Sequence, residues 1–296
     1  MKTISLWLIA CIGPSMAWAQ TAALPGPAAD PQVDPNRLGP PSPDRSQADP
    51  FEPLHQPYLA NLSAYEPMYF LLGTHPEDSK FQISLKYRLL TEEGPLARRY
   101  PWAKGFHLGY TQTSFWDLRS DSKPFEDTSY KPELLFLSED TPLGIPRARG
   151  SFLQWGLQHE SNGRDGDASR STNLLYVRPL CVFYDERTKL EVLIAPRVWV
   201  YVMNDDETNP DLKDYRGYFD LEFKLGKTDG PVLGAHLRWA KEGASTQWDL
   251  TYPLHRSLGG SLDLYLHVQV SDVLAESLLN YKERTQTLRI GVALMR

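Results

Sequence analysis

Ser261-Leu262-Asp263-Leu264-Tyr265-Leu266-His267-Val268-Gln269-Val270 alternates without a break: the even positions are apolar and the odd positions polar or amphipathic. A period of two sorts these classes onto opposite faces of an extended strand, and no helical period of 3.6 fits it. Outward from this stretch, similar short segments recur at 65–72, 81–90, 106–116, 131–137, 152–159, 173–184, 190–202, 218–225, 232–240, 247–252 and 287–295. With 261–271 they make twelve, at nearly even spacing and with no helical pattern between them, which predicts antiparallel hairpins in a sandwich or barrel. Parity alone leaves the inside undecided. A soluble barrel turns its apolar face inward, and a lipid-embedded one turns it outward around a polar interior.

Three features favour the lipid-embedded alternative: a leader, the segment count and the tryptophans. Met1-Lys2, the apolar run 4–12 and Ala17-Trp18-Ala19 form the n-region, h-region and small-x-small site of a signal peptide, 1–19. Gly13-Pro14 stops the apolar run short of the ~20 residues a spanning helix needs. Leu8-Ile9-Ala10-Cys11 also resembles a lipoprotein box. Trp102, Trp116, Trp155, Trp199, Trp239 and Trp248 are expected at the barrel rims. Connections 74–80 and 185–189 are short, whereas 91–104, 120–130, 160–172 and 204–216 are long and polar, which predicts short turns at one rim and long loops at the other. The reading is therefore an all-β, twelve-stranded antiparallel transmembrane β-barrel over 61–296, in a Gram-negative outer membrane. It follows a proline-rich, disordered segment at 20–60.

Composition agrees. The 296 residues carry 31 Lys+Arg against 37 Asp+Glu, a net charge of −6, so no nucleic-acid footprint is expected. A mean hydropathy of −0.42 argues against a bundle of membrane helices but not against a barrel. Cys11 and Cys181 are the two cysteines, too few for a disulfide framework or a multi-cysteine zinc site.

The densest polar constellation runs from Gln158-His159-Glu160-Ser161-Asn162-Gly163-Arg164 to Ser169-Arg170-Ser171-Thr172-Asn173. On a strand, His159 and Ser161 share a face, with Cβ atoms ~7 Å apart, within reach for an imidazole to take the serine proton. Leu153, Trp155 and Leu157 share that face, so an apolar outside would place the pair on the lipid-facing wall, where a lipid hydrolase needs its nucleophile. A hairpin to the next segment would bring Asn173 beside His159, and an amide oxygen there fixes the imidazole tautomer. By spacing alone, a polar loop with an incidental histidine accounts for the same residues.

The run 159–164 with its continuation to Arg178 resembles the signature of the outer-membrane phospholipase A family. The likeness extends to Tyr110–Trp116, Tyr130-Lys131-Pro132-Glu133-Leu134, and Asn209-Pro210-Asp211 with Gly217-Tyr218. The resemblance implies a calcium-dependent dimeric enzyme that hydrolyses the sn-1 and sn-2 acyl esters of phospholipids and lysophospholipids. It assigns Ser161 as nucleophile, His159 as base, Asn173 as the residue orienting the base, and the Gly163 N–H to the oxyanion. Ca2+ would take Ser169, the Arg164 carbonyl and Ser122 of the partner subunit, a set of hard oxygens. Asp205, Asp206 and Glu207 fall where the family has a secondary calcium site. Gln112 would bond across the homodimer interface. The competing readings are a non-enzymatic outer-membrane pore or structural barrel, and a soluble periplasmic β-sandwich.

Overall fold

A computed structural model describes residues 61–296 except 76–77, 92–93, 139–142, 205–207, 258–259 and 261. The expected leader, the proline-rich segment and Asp205, Asp206 and Glu207 lie outside the described residues. The strands are β1 (Leu62–Ala64), β2 (Met68–Gly73), β3 (Ser79–Arg88), β4 (Phe106–Trp116) and β5 (Phe125–Leu137). After them come β6 (Gly150–Ser161), β7 (Ser171–Asp185), β8 (Leu190–Tyr201) and β9 (Phe219–Gly226). The last four are β10 (Val232–Ala240), β11 (Gly243–Pro253), β12 (Tyr265–Leu274) and β13 (Arg284–Met295).

Each strand from β2 to β13 pairs antiparallel with the next, and β13 pairs back onto β2 through Ile290↔Leu72, so the sheet closes as a twelve-stranded barrel. The short β1 lies against β3 in line with β2: Ala64 faces Leu85, and Tyr69 faces Gln82. The two are one stave interrupted before Pro67, which has no N–H to offer the ladder.

β12 decides which face is inside. Leu266 and Val270 are 41% and 50% exposed, while His267, Gln269 and Ser271 are buried. The same inversion holds around the ring: Ile83, Leu108, Leu134, Leu157, Leu250 and Ile290 point outward, and Ser84, Thr111, Glu133, Gln158 and Arg289 are buried. An exposed apolar wall of this extent is stable only against hydrocarbon. Among the described residues no helix is long and apolar enough to cross a membrane; the strands cross it. Inside, Lys80 and Arg289 both pair with Glu276, at 2.8 and 2.7 Å, and Arg178 pairs with Glu66 and Glu222. Glu276 belongs to the 275–283 connection, whose Leu278 and Tyr281 pack on Leu212. This cluster stoppers one mouth above a polar cavity of about 340 Å³.

Four expectations need correction. Short and long connections do not segregate. The upper rim carries 74–78, 117–124, 162–170, 202–218, 241–242 and 275–283, and the lower rim carries both 89–105 and 186–189. Trp199 is buried beside Leu174 and Tyr176 on the inner face, because it stands opposite Tyr176 in the ladder. β5 begins at Phe125 rather than 131: Asp127, Thr128 and Ser129 are polar on both faces and hide the alternation. β12 begins at Tyr265 rather than 261, and the residues from Leu262 to Leu264 precede the strand.

Candidate active site

β6 ends at the upper rim with His159 and Ser161 on the outward row of Trp155 and Leu157. Across the β6–β7 ladder His159 stands directly opposite Asn173. His159 Nδ1 lies 2.8 Å from Asn173 Oδ1. The amide cannot be turned the other way at no cost, because Asn173 Nδ2 donates to the Met203 carbonyl at 3.1 Å. The oxygen therefore faces the ring, Nδ1 carries the proton, and Nε2 is left as the basic nitrogen. Asn204 Oδ1 accepts from the Asn173 N–H at 2.6 Å, so the segment that follows β8 holds Asn173 from behind.

Glu160, between the two candidate catalytic residues, points inward and is 3% exposed. It accepts from Arg216 Nη1 at 2.5 Å, from Arg216 Nη2 at 3.2 Å and from Ser129 Oγ at 2.5 Å. Arg216 closes the five-residue helix Leu212–Arg216 in the 202–218 connection. A bidentate guanidinium pair in the interior locks the strand's rotation, so its neighbours are held facing out.

Beyond Ser161 the chain turns. Asn162, 4% exposed, staples the 162–170 loop: its Nδ2 donates to the Ala168 carbonyl at 2.9 Å and its Oδ1 accepts from the Arg170 N–H at 3.0 Å. Gly163 has φ +65, and a Cβ there would meet the Tyr130 ring at 2.9 Å. Only glycine fits both constraints. The Arg164 guanidinium folds inward, with Nε 3.6 Å from Asp127 and Nη2 donating to the Glu126 carbonyl. Ser169 closes the single turn Gly166–Ala168. Ser122 is exposed in the neighbouring 117–124 connection, whereas Ser120 Oγ is committed to Asp117 Oδ2 at 2.5 Å.

One chain thus brings together His159, Ser161, Asn173 and Gly163, with Arg164 and Ser169 on the same loop. Gln112 lies outward in the same lateral row as Ser161, through Gln112↔Tyr130 and Tyr130↔Ser161. Its amide is bonded within its own strand, accepting from Tyr110 OH at 3.0 Å and donating to Ser114 Oγ at 3.2 Å. Among the described residues no three His, Cys, Asp or Glu gather around an ion-sized space.

The phospholipase A1 family model matches residues 54–294. The chain belongs to the phospholipase A1 family. Phospholipase A1 of Escherichia coli K12 is 30% identical over 223 residues, 74% of this chain and 70% of that one. The putative phospholipase A1 of Neisseria meningitidis is 31% identical over 224 residues, 73% of this chain and 54% of its own. Outer membrane phospholipase A from Escherichia coli superposes with a TM-score of 0.63 at 26% identity, covering 79% of this chain and 94% of that one. The Salmonella typhi outer membrane phospholipase, a dimer with bound calcium, gives 0.61 at 26% identity, with 79% and 92% covered. Family and inverted barrel together place this chain in the outer membrane as a phospholipase-type ester hydrolase.

Sequence reasoning gave no role to Asn162, Arg216, Asp127 or the Met203 carbonyl. A charged Glu160 on the polar face of a strand signals an inward partner. Nothing in local spacing points to an arginine 56 residues away.

Proposed function

We propose that the chain hydrolyses acyl esters of phospholipids and lysophospholipids, at sn-1 and sn-2, with Ser161 as nucleophile. The contact of His159 Nδ1 with Asn173 Oδ1 on a lipid-facing wall carries this reading. Nε2 of His159 takes the Ser161 proton as Oγ attacks the ester carbonyl, and returns it to the leaving glycerol oxygen. Asn173 keeps the imidazole in the useful tautomer, and the Gly163 N–H would donate to the developing oxyanion. Water then releases the fatty acid from Ser161 by the same proton route.

Calcium fits this loop. Ser169 Oγ and the Arg164 carbonyl are hard oxygen donors on a short, stapled segment, and the Arg164 guanidinium is engaged by Asp127 and the Glu126 carbonyl. Ser122, exposed on the neighbouring connection of the same rim, would complete the set in a second copy. A bound calcium ion supplies positive charge for the oxyanion. The active form is then a reversible homodimer, with Gln112 at the interface, matching the dimeric state of the Salmonella typhi relative. The upper-rim stopper of Leu278, Tyr281 and Leu212 counts against a simple pore.

The test is release of labelled fatty acid from sn-1- and sn-2-labelled phospholipid by purified protein, in calcium and in excess chelator. Hydrolysis that needs calcium and a serine-directed inhibitor that labels Ser161 are the expected results. Equal rates in chelator remove the calcium role, and labelling elsewhere removes Ser161.

A further inference from the structure

The lower rim carries a segment that the catalytic reading does not use. Between β3 and β4, Pro95–Arg99 form one helical turn and Pro101–Gly105 a 3-10 turn. Of these ten residues Ala97 and Gly105 are buried. Gly105 is the point of attachment: a Cβ there would meet the Leu137 carbonyl at 2.6 Å and the Phe136 ring at 2.7 Å. Pro95, Leu96 and 98–102 are exposed. Leu96 is 59% exposed, Tyr100 43% and Trp102 63%.

These exposed side chains continue the lipid-facing wall. Trp102 packs edge-on against Phe106 at 5.9 Å, and Phe106 meets Phe136 at 5.2 Å and Trp155 at 6.0 Å. Phe136 and Trp155 stack at 5.6 Å, so one aromatic surface runs from the outside of β4–β6 onto the segment. Arg98 and Arg99 are exposed and Lys104 is half-buried, with the Arg99 guanidinium 5.4 Å from the Tyr100 ring. Among the described residues none of the three cations is in an ion pair. Rings with polar tips, an exposed leucine and unpaired cations on one short element are the makings of an interfacial anchor.

We propose that 95–104 lies on the headgroup layer of the leaflet opposite the catalytic rim and binds anionic phospholipid headgroups there. Arg98, Arg99 and Lys104 meet the phosphates, and Leu96 and Trp102 enter the acyl boundary beside Phe106. Continuity with the hydrocarbon-facing wall rules out water as the natural neighbour of these apolar groups, and the charge selects anionic over zwitterionic lipid. This proposal is independent of the catalytic assignment.

The test is electron paramagnetic resonance of spin-labelled, non-hydrolysable diether lipids around the full-length protein in phosphatidylcholine vesicles. Labelled phosphatidylglycerol should associate about fivefold or more over labelled phosphatidylcholine. The triple variant Arg98→Gln, Arg99→Gln, Lys104→Gln should bring the two lipids level, and hydrolysis in detergent micelles should stay at the wild-type rate. Raising salt with the wild-type protein should shrink the same preference, a check that needs no variant. An unchanged phosphatidylglycerol preference in the triple variant, or no preference in the wild type, overturns the proposal.

Discussion

The outward and inward faces of β6 differ in how many commitments each side chain makes. Outside, His159 holds one neighbour, Asn173 Oδ1, and Ser161 sits two residues on at the membrane-facing edge. Inside, Glu160 takes two bonds from Arg216 and one from Ser129. The inward side chain is fixed by a buried ion pair, and the outward pair is left with groups free to meet a substrate, as the proposed chemistry requires. A single strand supplies both because its faces alternate residue by residue.

The largest effect should come from breaking the outward face. Ser161→Ala should lower turnover by about 10³-fold or more, since Ser161 is the nucleophile of the proposed triad and the members of such a triad act as one unit. Its heat-modifiable migration and circular dichroism should match the wild type, because Ser161 carries none of the inward ion pairs. A variant that lost the barrel as well would merge the two faces and end the comparison.

Breaking the inward face should move stability first. Glu160→Gln leaves the Arg216 guanidinium buried without its carboxylate, an arrangement that costs about 3–5 kcal/mol. Denaturant unfolding in lipid vesicles should show this loss, and adding Arg216→Met should recover much of it. Activity should fall in Glu160→Gln although neither residue touches substrate, because His159 and Ser161 flank the anchor. Full activity in that variant would show that the outward pair is oriented by the ladder alone.

The same division explains what was legible in the sequence. Period-two alternation gave β4 and β10 their bounds outright and the other strands to within a few residues, because one face of each meets hydrocarbon. It failed at Asp127-Thr128-Ser129, where both faces are polar near the rim, and at Trp199, which fills the interior beside Tyr176. The outward grouping of the candidate residues was readable from spacing and family likeness, since His159, Ser161 and Asn173 occupy neighbouring positions of one hairpin. The inward anchors were not: Arg216 reaches Glu160, and the Leu279 N–H reaches Asp127 Oδ2 at 2.9 Å, only after the barrel has closed. Closure is a property of twelve strands together, and no local pattern encodes it.

A smaller, pH-dependent effect should appear at the stopper. Burial alone would raise the Glu276 carboxyl, but Lys80 and Arg289 overcome it and hold the pKa at about 2, below the ordinary 4.5. A depressed acid stabilises the folded state fully above the unfolded value and loses that contribution as pH falls through the folded one. Asp211, held low by hydrogen bonds from Lys282 and Tyr281, shifts in the same direction. Amide protection factors across 275–283, corrected for the intrinsic pH dependence of exchange, should therefore fall as pH is lowered from about 4.5 toward 2, before those of the strands respond. Protection factors unchanged between pH 4.5 and 2 would mean that packing of Leu278 and Tyr281 alone seats the stopper.

The smallest effect concerns Gln112, the outward residue that is already satisfied. Tyr110 OH donates to its carbonyl, and its amide donates to Ser114 Oγ, so the group is not an orphan in the monomer. A bond to a second copy must replace one of these rather than add to them. Interhelical hydrogen bonds within membranes are worth about 0.6–2 kcal/mol, and an exchange belongs at the low end of that range. Gln112→Ala should then weaken the proposed dimer by about threefold in detergent with calcium, lowering activity in proportion while the barrel keeps its heat stability. Sedimentation equilibrium across a calcium series separates this from a calcium-driven contact: the Gln112 effect should persist at every calcium concentration, whereas Ser122→Ala should weaken the dimer only where calcium is present. Full activity in a strictly monomeric species would remove the second copy from the catalytic site, and with it the role of Gln112.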